Sequence, residues 1–174
     1  PKLSTRYQFS PEVSAYATAS RGYRYGGINT IGSQPYKSDS LWNYEAGLRS
    51  QPSKEVALDL SVFMLDWKNI QMQTTNADGF VIITNAAKAR SSGFEATLGW
   101  RPMPAFSLNG ALALTDAKLR APVDSANGRV VTAGTTLPGV AKVQSALDAT
   151  YRFPGPFQSG AALSTVLQYV GKRN

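Results

Sequence analysis

Residues 41–100 alternate apolar and polar side chains with a period of two, over several strand-length segments in succession. Alternation of this kind predicts β-strands rather than helices. Where it continues for roughly 9–11 residues with aromatic residues near the ends, it is typical of strands that cross an outer membrane. The chain has no apolar run of roughly 18 residues, the length expected of a transmembrane helix. The sequence therefore predicts an all-β fold, a transmembrane antiparallel β-barrel.

Composition restricts the kinds of site that the chain can form. Its 174 residues include no cysteine and no histidine, which excludes a zinc site of the Cys/His type and a Cys–His catalytic pair. The mean hydropathy of −0.22 is that of many soluble proteins, but a barrel wall gives a similar value because every second residue faces a polar lumen. A net charge of +7 could attract anionic lipid or nucleic acid. Because the Lys and Arg residues are spread along the chain without a stripe, we interpret most of them as scattered solvated charge and predict no nucleic-acid partner.

Eight segments carry the alternation and predict eight strands, at residues 3–9, 13–20, 41–51, from 56 onward, 88–100, 106–115, 143–153 and 160–170. The pattern blurs at residues 63–65, which predicts either a bulge or a position at the rim. Short turns and longer loops follow the strands in strict alternation. The three longer loops are predicted at residues 21–40, 74–87 and 116–142, and the second contains an Asp78-Gly79 turn signal. Outer-membrane barrels sort their connections in this way, so the three loops are predicted to face outside the cell.

The two faces of the predicted strands differ in chemistry. One face carries charges of both signs, which are costly in a dry core but stable against a wet lumen. A narrow eight-stranded barrel fills its interior with side chains, so we predict a wider barrel of which this chain is one wall. The charged inward set is Arg6, Glu45, Arg49, Asp59, Glu95, Arg101, Asp148 and Arg152. The opposite face carries aromatic residues predicted to form an interfacial belt, namely Trp42, Tyr44, Trp67, Trp100, Tyr151 and Phe153.

Six segments resemble, in family order, elements of TonB-dependent outer-membrane receptors. They are SRGYRYGG at residues 20–27, WNYEAGLRS at 42–50, LDLSVFMLDWKNIQ at 58–71, NAAKARSSGFE at 85–95, LPGV at 137–140 and YVG at 169–171. One departure is Ala141, where the family often has proline. A single such segment would be weak evidence for the family. Six of them in order, over nearly the whole chain, are specific to the family, although they do not identify a substrate.

The resemblance implies a barrel of about 22 strands with a plug domain inside it. Such receptors move scarce nutrients across the outer membrane of Gram-negative bacteria, most often ferric siderophores and sometimes cobalamin, haem or sugars. Residues 1–174 would be a later part of that barrel, without the plug, the N-terminal strands and the closing C-terminal strands. The implied partners are the receptor's own plug, the energy-supplying TonB complex through the missing N-terminal region, outer-membrane lipid and lipopolysaccharide. No cofactor and no enzymatic activity are expected.

Two groups of residues are candidates for function. Arg21, Tyr23, Arg24 and Tyr25 stand at the start of a predicted external loop, and aromatic rings with Arg suit anionic, aryl-bearing ferric chelates. The alternative for this group is a rim girdle that contacts lipopolysaccharide. The second group would face the plug or, alternatively, form lateral pairs across the lumen. Its members are Glu45, Arg49, Asp59, Glu95, Arg101, Asp148 and Arg152.

Other sites find less support in the sequence. Asp66, Asp78, Asp116 and Asp124 do not follow the spacing of a calcium-binding loop, and no metal site is predicted. A glycosidase pair of Glu45 and Glu95 has no further active-site feature beside it. Two readings of a different class stay open. The chain could be a complete eight-stranded barrel with an adhesin or structural role, or a soluble β-rich module that binds carbohydrate through exposed Trp residues.

Overall fold

A computed structural model of the chain describes residues 1–31, 34–76, 78–124, 130–154 and 160–173. Its regular elements are twelve β-strands: β1 Lys2–Ser10, β2 Val13–Arg24, β3 Gly27–Ile28, β4 Pro35–Tyr36, β5 Asp39–Ser53, β6 Val56–Thr75, β7 Val81–Met103, β8 Phe106–Leu119, β9 Val123–Asp124, β10 Val130–Val131, β11 Val143–Arg152 and β12 Ala162–Val170. Among these residues there is no helix long and apolar enough to cross a membrane.

The eight long strands form one antiparallel sheet in the order β1-β2-β5-β6-β7-β8-β11-β12. Each long strand pairs with the next long strand along the chain, and the short pairs β3–β4 and β9–β10 lie within two of the connections. β1 and β12 are the two edges, so the described strands form an open wall rather than a closed eight-stranded barrel. This confirms the predicted all-β antiparallel fold and argues against the interpretation of the chain as a complete small barrel.

The predicted sorting of short and long connections between the two ends of the sheet holds in part. Residues 11–12, 54–55, 104–105 and 153–161 connect strands at one end, which we call the turn end, and residues 25–38, 76–80 and 120–142 connect them at the other, the loop end. The two-residue turns all lie at the turn end, but the connection between β11 and β12 is longer than the one between β6 and β7. In the tight connection between β6 and β7, Gly79 adopts a φ of 82°, which glycine accepts without steric cost. Ala77 of the predicted turn lies outside the described residues.

The predicted loop at residues 74–87 is wrong in its extent. β6 continues to Thr75 and β7 begins at Val81, and residues 70–75 pair with residues 81–87. Val81, Ile82 and Ile83 are β-branched and stabilise extended backbone, so the hairpin continues past the neighbouring strands. We call this paired extension, residues 70–75 and 81–87, the overhang; six residues at about 3.3 Å each give it a length of about 20 Å.

The bulge predicted at residues 63–65 is also misplaced. The pairing of β6 with β7 is regular there and shifts only after Trp67, where Asn69 adopts a φ of 55°. Phe63 blurs the alternation for another reason, because its ring lies over the bare backbone of Gly93 on the same face, leaving no room for a Cβ at that position. An apolar residue on the polar face is here a packing partner for glycine.

The inner face of the sheet is polar and concave. A cavity of about 550 Å³ is lined by residues from all eight long strands, among them Arg6, Arg49, Asp59 and Asp148. These residues face one another across the sheet in register, as Arg49 opposite Asp59 shows. The inward orientation predicted for the polar face is therefore seen as one curved surface.

The outer face is apolar and largely exposed. On β8, for example, the outward residues from Phe106 to Leu114 span about 26 Å at about 3.3 Å per residue, close to the apolar band of about 25 Å in membrane barrels. Exposed side chains on this face include Val62 at 54% and Leu98 at 41%, and the belt residues Trp42, Tyr44, Trp100, Tyr151 and Phe153 lie on it as predicted. A soluble carbohydrate-binding module would bury an apolar face of this extent, so the fold argues against that reading.

Candidate functional site

The inner face at the loop end contains a hydrogen-bonded cluster around one buried carboxylate. Asp39, the first residue of β5, is only 2% exposed. Arg24 binds it through Nε and Nη2, the Trp67 indole Nε1 donates to it at 3.1 Å and the Gln71 backbone N–H donates at 3.4 Å. Asp39 lies beyond the apolar band, and the hydrogen bond from Arg24 lowers the pKa of its carboxyl group.

Trp67 is misassigned by the sequence analysis. Predicted as an outward belt residue, it pairs in register with Leu41 and Ala89 and points to the inner face, where it donates to Asp39. The Arg24 guanidinium carbon lies 5.4 Å from the centroid of its ring, within the range of a cation–π contact. The alternation around Trp67 is unreliable because both faces of β6 carry apolar residues just before it, so the pattern cannot tell which face the indole occupies.

The four predicted ligand contacts are divided between the two faces of the wall. Arg24 lies on the inner face with Asp39, and its side chain remains 53% exposed. Arg21 lies on the outer face, with its guanidinium 5.8 Å from the ring of Trp42. Tyr23 follows on that face, and its hydroxyl is 3.2 Å from that of Tyr25. Ligand contact by these residues stays a prediction, and Arg24 is the one of the four that the inner surface presents.

Three amide side chains attach the connection between β2 and β5 to the overhang. Asn29 and Ile83 exchange two hydrogen bonds, of 2.9 and 2.7 Å. Gln71 Nε2 donates to the backbone carbonyls of Tyr25 and Lys37, at 2.8 and 3.1 Å. We call these three residues, Asn29, Gln71 and Asn85, the amide clamp. The sequence does not reveal these contacts, since the position of an Asn or Gln along the chain does not indicate which backbone group it binds.

Asn85 is the third member of the amide clamp and connects three segments. Its Nδ2 donates to the carbonyl oxygens of Lys37 and Asn69, both at 2.8 Å, and its Oδ1 accepts the backbone N–H of Lys37. The first loop is therefore bound along its length to the hairpin that rises beside it. Hydrogen bonds of this kind, from side chains to backbone groups, give the first loop a defined conformation.

The connection between β8 and β11 also folds back over the inner face. The backbone N–H of Leu119 donates to Thr135 at 2.9 Å and that of Leu137 to Ala117 at 2.9 Å. Beneath these bonds lies a small apolar cluster in which Ile70 and Leu119 are buried and Trp67 and Leu137 are partly buried. In the described parts of the chain, two loops and the overhang thus surround the Asp39 cluster at the loop end.

The seven predicted plug-facing residues all lie on the inner face, nearer the turn end than the Asp39 cluster. Arg49 pairs with Asp59 at 3.2 Å, and Asn109 donates to Asp148 at 3.2 Å. Glu45 accepts a hydrogen bond of 2.6 Å from Tyr16. Glu95 lines a separate cavity of about 370 Å³, and Arg101 and Arg152 line one of about 420 Å³ at the turn end. Lateral pairing is therefore present for Arg49 and Asp59, while contact with a plug stays a prediction.

The acidic residues considered for calcium are dispersed. Asp66 forms an ion pair of 2.7 Å with Arg90, and Asp116 forms one of 2.7 Å with Lys118. The side chain of Asp124 is outside the part of the chain that the structure describes. Within that part, no three Asp or Glu side chains group closely enough to hold a metal ion.

Comparisons with known proteins agree with this architecture. The family model described as "TonB dependent receptor-like, beta-barrel" matches residues 1–174. The metal-pseudopaline receptor CntO of Pseudomonas aeruginosa is 26% identical over 174 residues, covering 99% of this chain and 23% of the relative. The chain thus spans about a quarter of the length of the curated relatives that it matches.

Two solved structures show the same fold. The ferric yersiniabactin uptake receptor FyuA from Yersinia pestis superimposes with a TM-score of 0.74 at 21% identity, covering 96% of this chain and 24% of that receptor. BauA, the ferric preacinetobactin receptor from Acinetobacter baumannii, gives a TM-score of 0.74 at 19% identity, covering 98% of this chain and 25% of that receptor. Together with the family match along its whole length, these show that the chain belongs to the TonB-dependent receptor family and forms a stretch of the receptor's antiparallel β-barrel.

Proposed function

We propose that this chain is part of the wall and external loops of an outer-membrane receptor that imports a metal held by an organic chelator, with a ferric siderophore as the substrate. The family is one of receptors and transporters rather than enzymes. The relatives with similar sequence or fold are receptors for metal-pseudopaline, ferric yersiniabactin and ferric preacinetobactin. The observation that carries the proposal is the Asp39 cluster on the inner face at the loop end. It lies in a chain that the family model matches over residues 1–174.

The geometry of that cluster suits the mouth of an uptake channel. Arg24 is held against Asp39 and Trp67 but keeps about half of its side chain exposed towards the inner space. An Arg held by a carboxylate has a fixed orientation and can still donate its remaining N–H groups to an anionic chelate. The two bound loops and the overhang would then form part of the wall that a substrate meets first.

An uptake experiment tests the proposal. Cells that lack the gene of the complete receptor would be given ⁵⁵Fe bound to a panel of siderophores. Ferric citrate and copper chelates would represent other classes of metal chelate. We expect uptake of at least one ferric siderophore to disappear with the gene and to return with it. Arg24→Gln should weaken uptake at low substrate concentration, while Lys54→Gln at the turn end should leave it unchanged. Equal uptake of every chelate with and without the gene would contradict the proposal.

We also propose that the inner polar surface contacts the receptor's own plug domain. The Arg49–Asp59 pair is roughly half exposed, and the cavity beside it leaves space for a partner's polar groups. A charge exchange separates this proposal from purely lateral pairing. Arg49→Asp should make the plug more sensitive to protease. If the double variant Arg49→Asp/Asp59→Arg restores the resistance of the plug to protease, the two residues act by pairing with each other. If the resistance stays lost, the plug contacts their charges directly.

The loop end is proposed to face the cell exterior and the turn end the periplasm, where other parts of the receptor would reach the TonB complex. The support is that the two-residue turns all lie at the turn end, whereas the long connections at residues 25–38 and 120–142 lie at the loop end. The chain has no cysteine, so single cysteines can report exposure. Asp78→Cys in the receptor should react with a membrane-impermeant maleimide on intact cells, and Lys54→Cys should react only after lysis. The reverse labelling pattern would overturn the orientation.

A further inference from the structure

A cavity at the turn end of the inner face has two arginines in its lining. Arg101 lies near the end of β7 and Arg152 at the end of β11, and both line the same cavity of about 420 Å³. Lys54 and Glu55 also line it, and their opposite charges offset each other. The two arginines therefore leave an excess of positive charge in this cavity, which we call the turn-end cavity.

The guanidinium groups of these two arginines have no acidic partner in the described part of the chain. Three other arginines of the inner face each bind a neighbouring side chain: Arg24 with Asp39, Arg49 with Asp59 and Arg6 with Gln8. By contrast, the side chains of Arg101 and Arg152 form neither an ion pair nor a hydrogen bond with any residue that the structure describes, and both residues are exposed. An arginine in this state can donate to an arriving anion without first giving up an internal pair.

Ser107 lies between the two arginines, on the strand that separates β7 from β11. It is only 8% exposed, yet its hydroxyl forms no hydrogen bond with another residue in the described part of the chain. No side-chain oxygen in that part is both fully enclosed and without a partner, so the hydroxyl reaches the turn-end cavity that Ser107 lines. A buried hydroxyl that opens onto a cavity can donate to an oxygen of a molecule bound there.

The rim of the turn-end cavity is stiff. Prolines occupy both ends of residues 102–104, where β7 turns into β8, and their fixed φ angles restrict this turn. The backbone N–H of Arg101 donates to the carbonyl of Glu55, and that of Arg152 to the carbonyl of Ala105, each at 2.7 Å. Both arginines are therefore attached to a neighbouring turn, which places them before a ligand arrives and lowers the entropic cost of binding.

The turn-end cavity and Arg24 lie at opposite ends of the inner face. Trp67, beside Arg24, pairs with Ala89, and Arg101 follows about 12 residues further along β7, a distance of about 40 Å at about 3.3 Å per residue. An anion that enters past Arg24 and follows this wall would therefore leave it past the turn-end cavity.

We infer that the turn-end cavity is an exit subsite, which binds an anionic metal chelate through Arg101, Arg152 and Ser107 as the chelate leaves the receptor for the periplasm. The inference rests on the proposed function and on the proposed orientation, which places the turn end in the periplasm. Arg presents parallel N–H donors that match the oxygens of a carboxylate, so a chelate with ionised oxygen groups on its surface fits this cavity. Because both arginines are exposed to water, the binding is weak enough for release.

Transport by cells that carry the complete receptor tests the inference. The cavity variant is Arg101→Gln/Arg152→Gln, and the matched control, Lys88→Gln/Arg120→Gln, removes two exposed cations of the outer face. We expect the cavity variant to bind the ferric chelate at the cell surface within ~2-fold of the unaltered receptor but to import it at least ~5-fold more slowly at saturation. The control should match the unaltered receptor in both measurements. Unchanged uptake by the cavity variant would overturn the inference.

Contact with the plug is the other role open to these arginines, and protease digestion of the same variants separates the two. An exit subsite leaves the plug as resistant to protease in Arg101→Gln/Arg152→Gln as in the control. Faster digestion of the plug in the cavity variant would assign the arginines to the plug and overturn the inference. Arg101→Lys/Arg152→Lys keeps both charges, and we expect it to recover about half or more of the lost uptake rate.

A second measurement keeps both arginines in place, in case the cavity variant does not fold. Met103 is exposed and lines the turn-end cavity, and the chain has no cysteine of its own. We expect Met103→Cys in the receptor to react with a thiol reagent in the periplasm, and saturating ferric chelate to slow this reaction at least ~5-fold in cells with an active TonB complex. Absence of protection in these cells, or equal protection in cells whose TonB complex is inactive, would overturn the inference.

The unaltered receptor separates failure of this inference from failure of the proposed function. If it imports no chelate, the proposed function fails and the exit subsite fails with it. If it imports a chelate while the cavity variant is unimpaired and Met103→Cys is unprotected, only the exit subsite is refuted.

Discussion

The Trp67 indole Nε1 donates a hydrogen bond of 3.1 Å to the carboxylate of Asp39, joining the inner faces of β6 and β5 at the point where both strands leave the apolar band. The same carboxylate accepts Arg24 and the Gln71 backbone, so one side chain determines where β2, β5 and the overhang meet. The first loop begins and ends at this junction. Asp39 therefore fixes the two ends of the first loop, while the amide clamp attaches the loop to the overhang.

Trp67→Phe should loosen this junction while leaving the wall intact. A hydrogen bond to a charged group contributes about 1.5–3 kcal/mol, and phenylalanine keeps most of the ring contact. We expect faster hydrogen exchange in residues 25–31 and 34–38 and a fall of about 1–2 kcal/mol in the free energy of unfolding, measured for the receptor in detergent. Trp42→Phe is the control, since Trp42 stacks on Tyr44 on the outer face, with ring centroids 5.8 Å apart. Equal loosening by both variants would show that the indole bond is unimportant.

The attachment of the first loop should depend on pH through Asp39. Its pKa in the folded state is lowered by Arg24 first, and the backbone of Gln71 and the indole of Trp67 act in the same direction. The unfolded value is about 3.9, so the stabilisation is complete above about pH 4 and is lost as the pH falls through the lowered folded pKa. Hydrogen exchange of the first loop, corrected for intrinsic rates, should rise only in that acid range. Asp39→Asn should abolish the transition, and a transition that persists in this variant must come from another group.

Gly93→Ala should destabilise the barrel, and Gly99→Ala on the same strand and face should not. A Cβ at Gly93 would stand 2.6 Å from the Phe63 ring and would also collide with the backbone carbonyl of Leu114, which cannot move without disturbing the β7–β8 pairing. At Gly99 the nearest atom is 3.7 Å away, an ordinary contact. Overpacking of this kind costs about 1–3 kcal/mol.

Unfolding in urea, followed by the heat-modifiable shift of the folded receptor on a gel, measures the difference between these two glycine variants. A matched loss in both would mean that the close approach of Phe63 and Leu114 is not the cause, since strands in general favour alanine over glycine. A loss in Gly93→Ala alone would assign it to the close approach of Phe63 and Leu114.

How far the sequence predicts this molecule differs between its strands and its loop end. Period-two alternation fixes which residues of β5 and β7 face inward, so the placement of Glu45, Arg49 and Glu95 follows from the sequence. Lateral neighbours are not fixed in this way, because a bulge such as the one after Trp67 shifts the register of everything beyond it. The alignment of Arg90 with Lys118 is likewise a lateral relationship, which alternation along one strand does not predict.

The amide clamp illustrates a different limit. Asn29 and Asn85 are 56 positions apart, yet they join the same two segments: Asn29 of the first loop binds Ile83 of the overhang, and Asn85 of the overhang binds Lys37 of the first loop. Their partners are backbone groups, which every residue possesses, so no pattern of side chains predicts the contact. Residues 81–87 are likewise held in strand conformation by backbone pairing with β6, although the sequence predicts a loop there.

Asn85→Asp should release the first loop from the overhang. The change keeps the shape of the side chain but replaces the Nδ2 donor with a second acceptor, which would face the carbonyl oxygens of Lys37 and Asn69. Losing two hydrogen bonds of about 1 kcal/mol each corresponds to a rise of ~10-fold or more in the open population. Trypsin should therefore cut after Lys37 at least ~10-fold faster in the receptor. Gln73→Glu, an equal change at an exposed position of the overhang, should leave the rate unchanged, and similar acceleration by both would trace the effect to added negative charge instead of the lost donor.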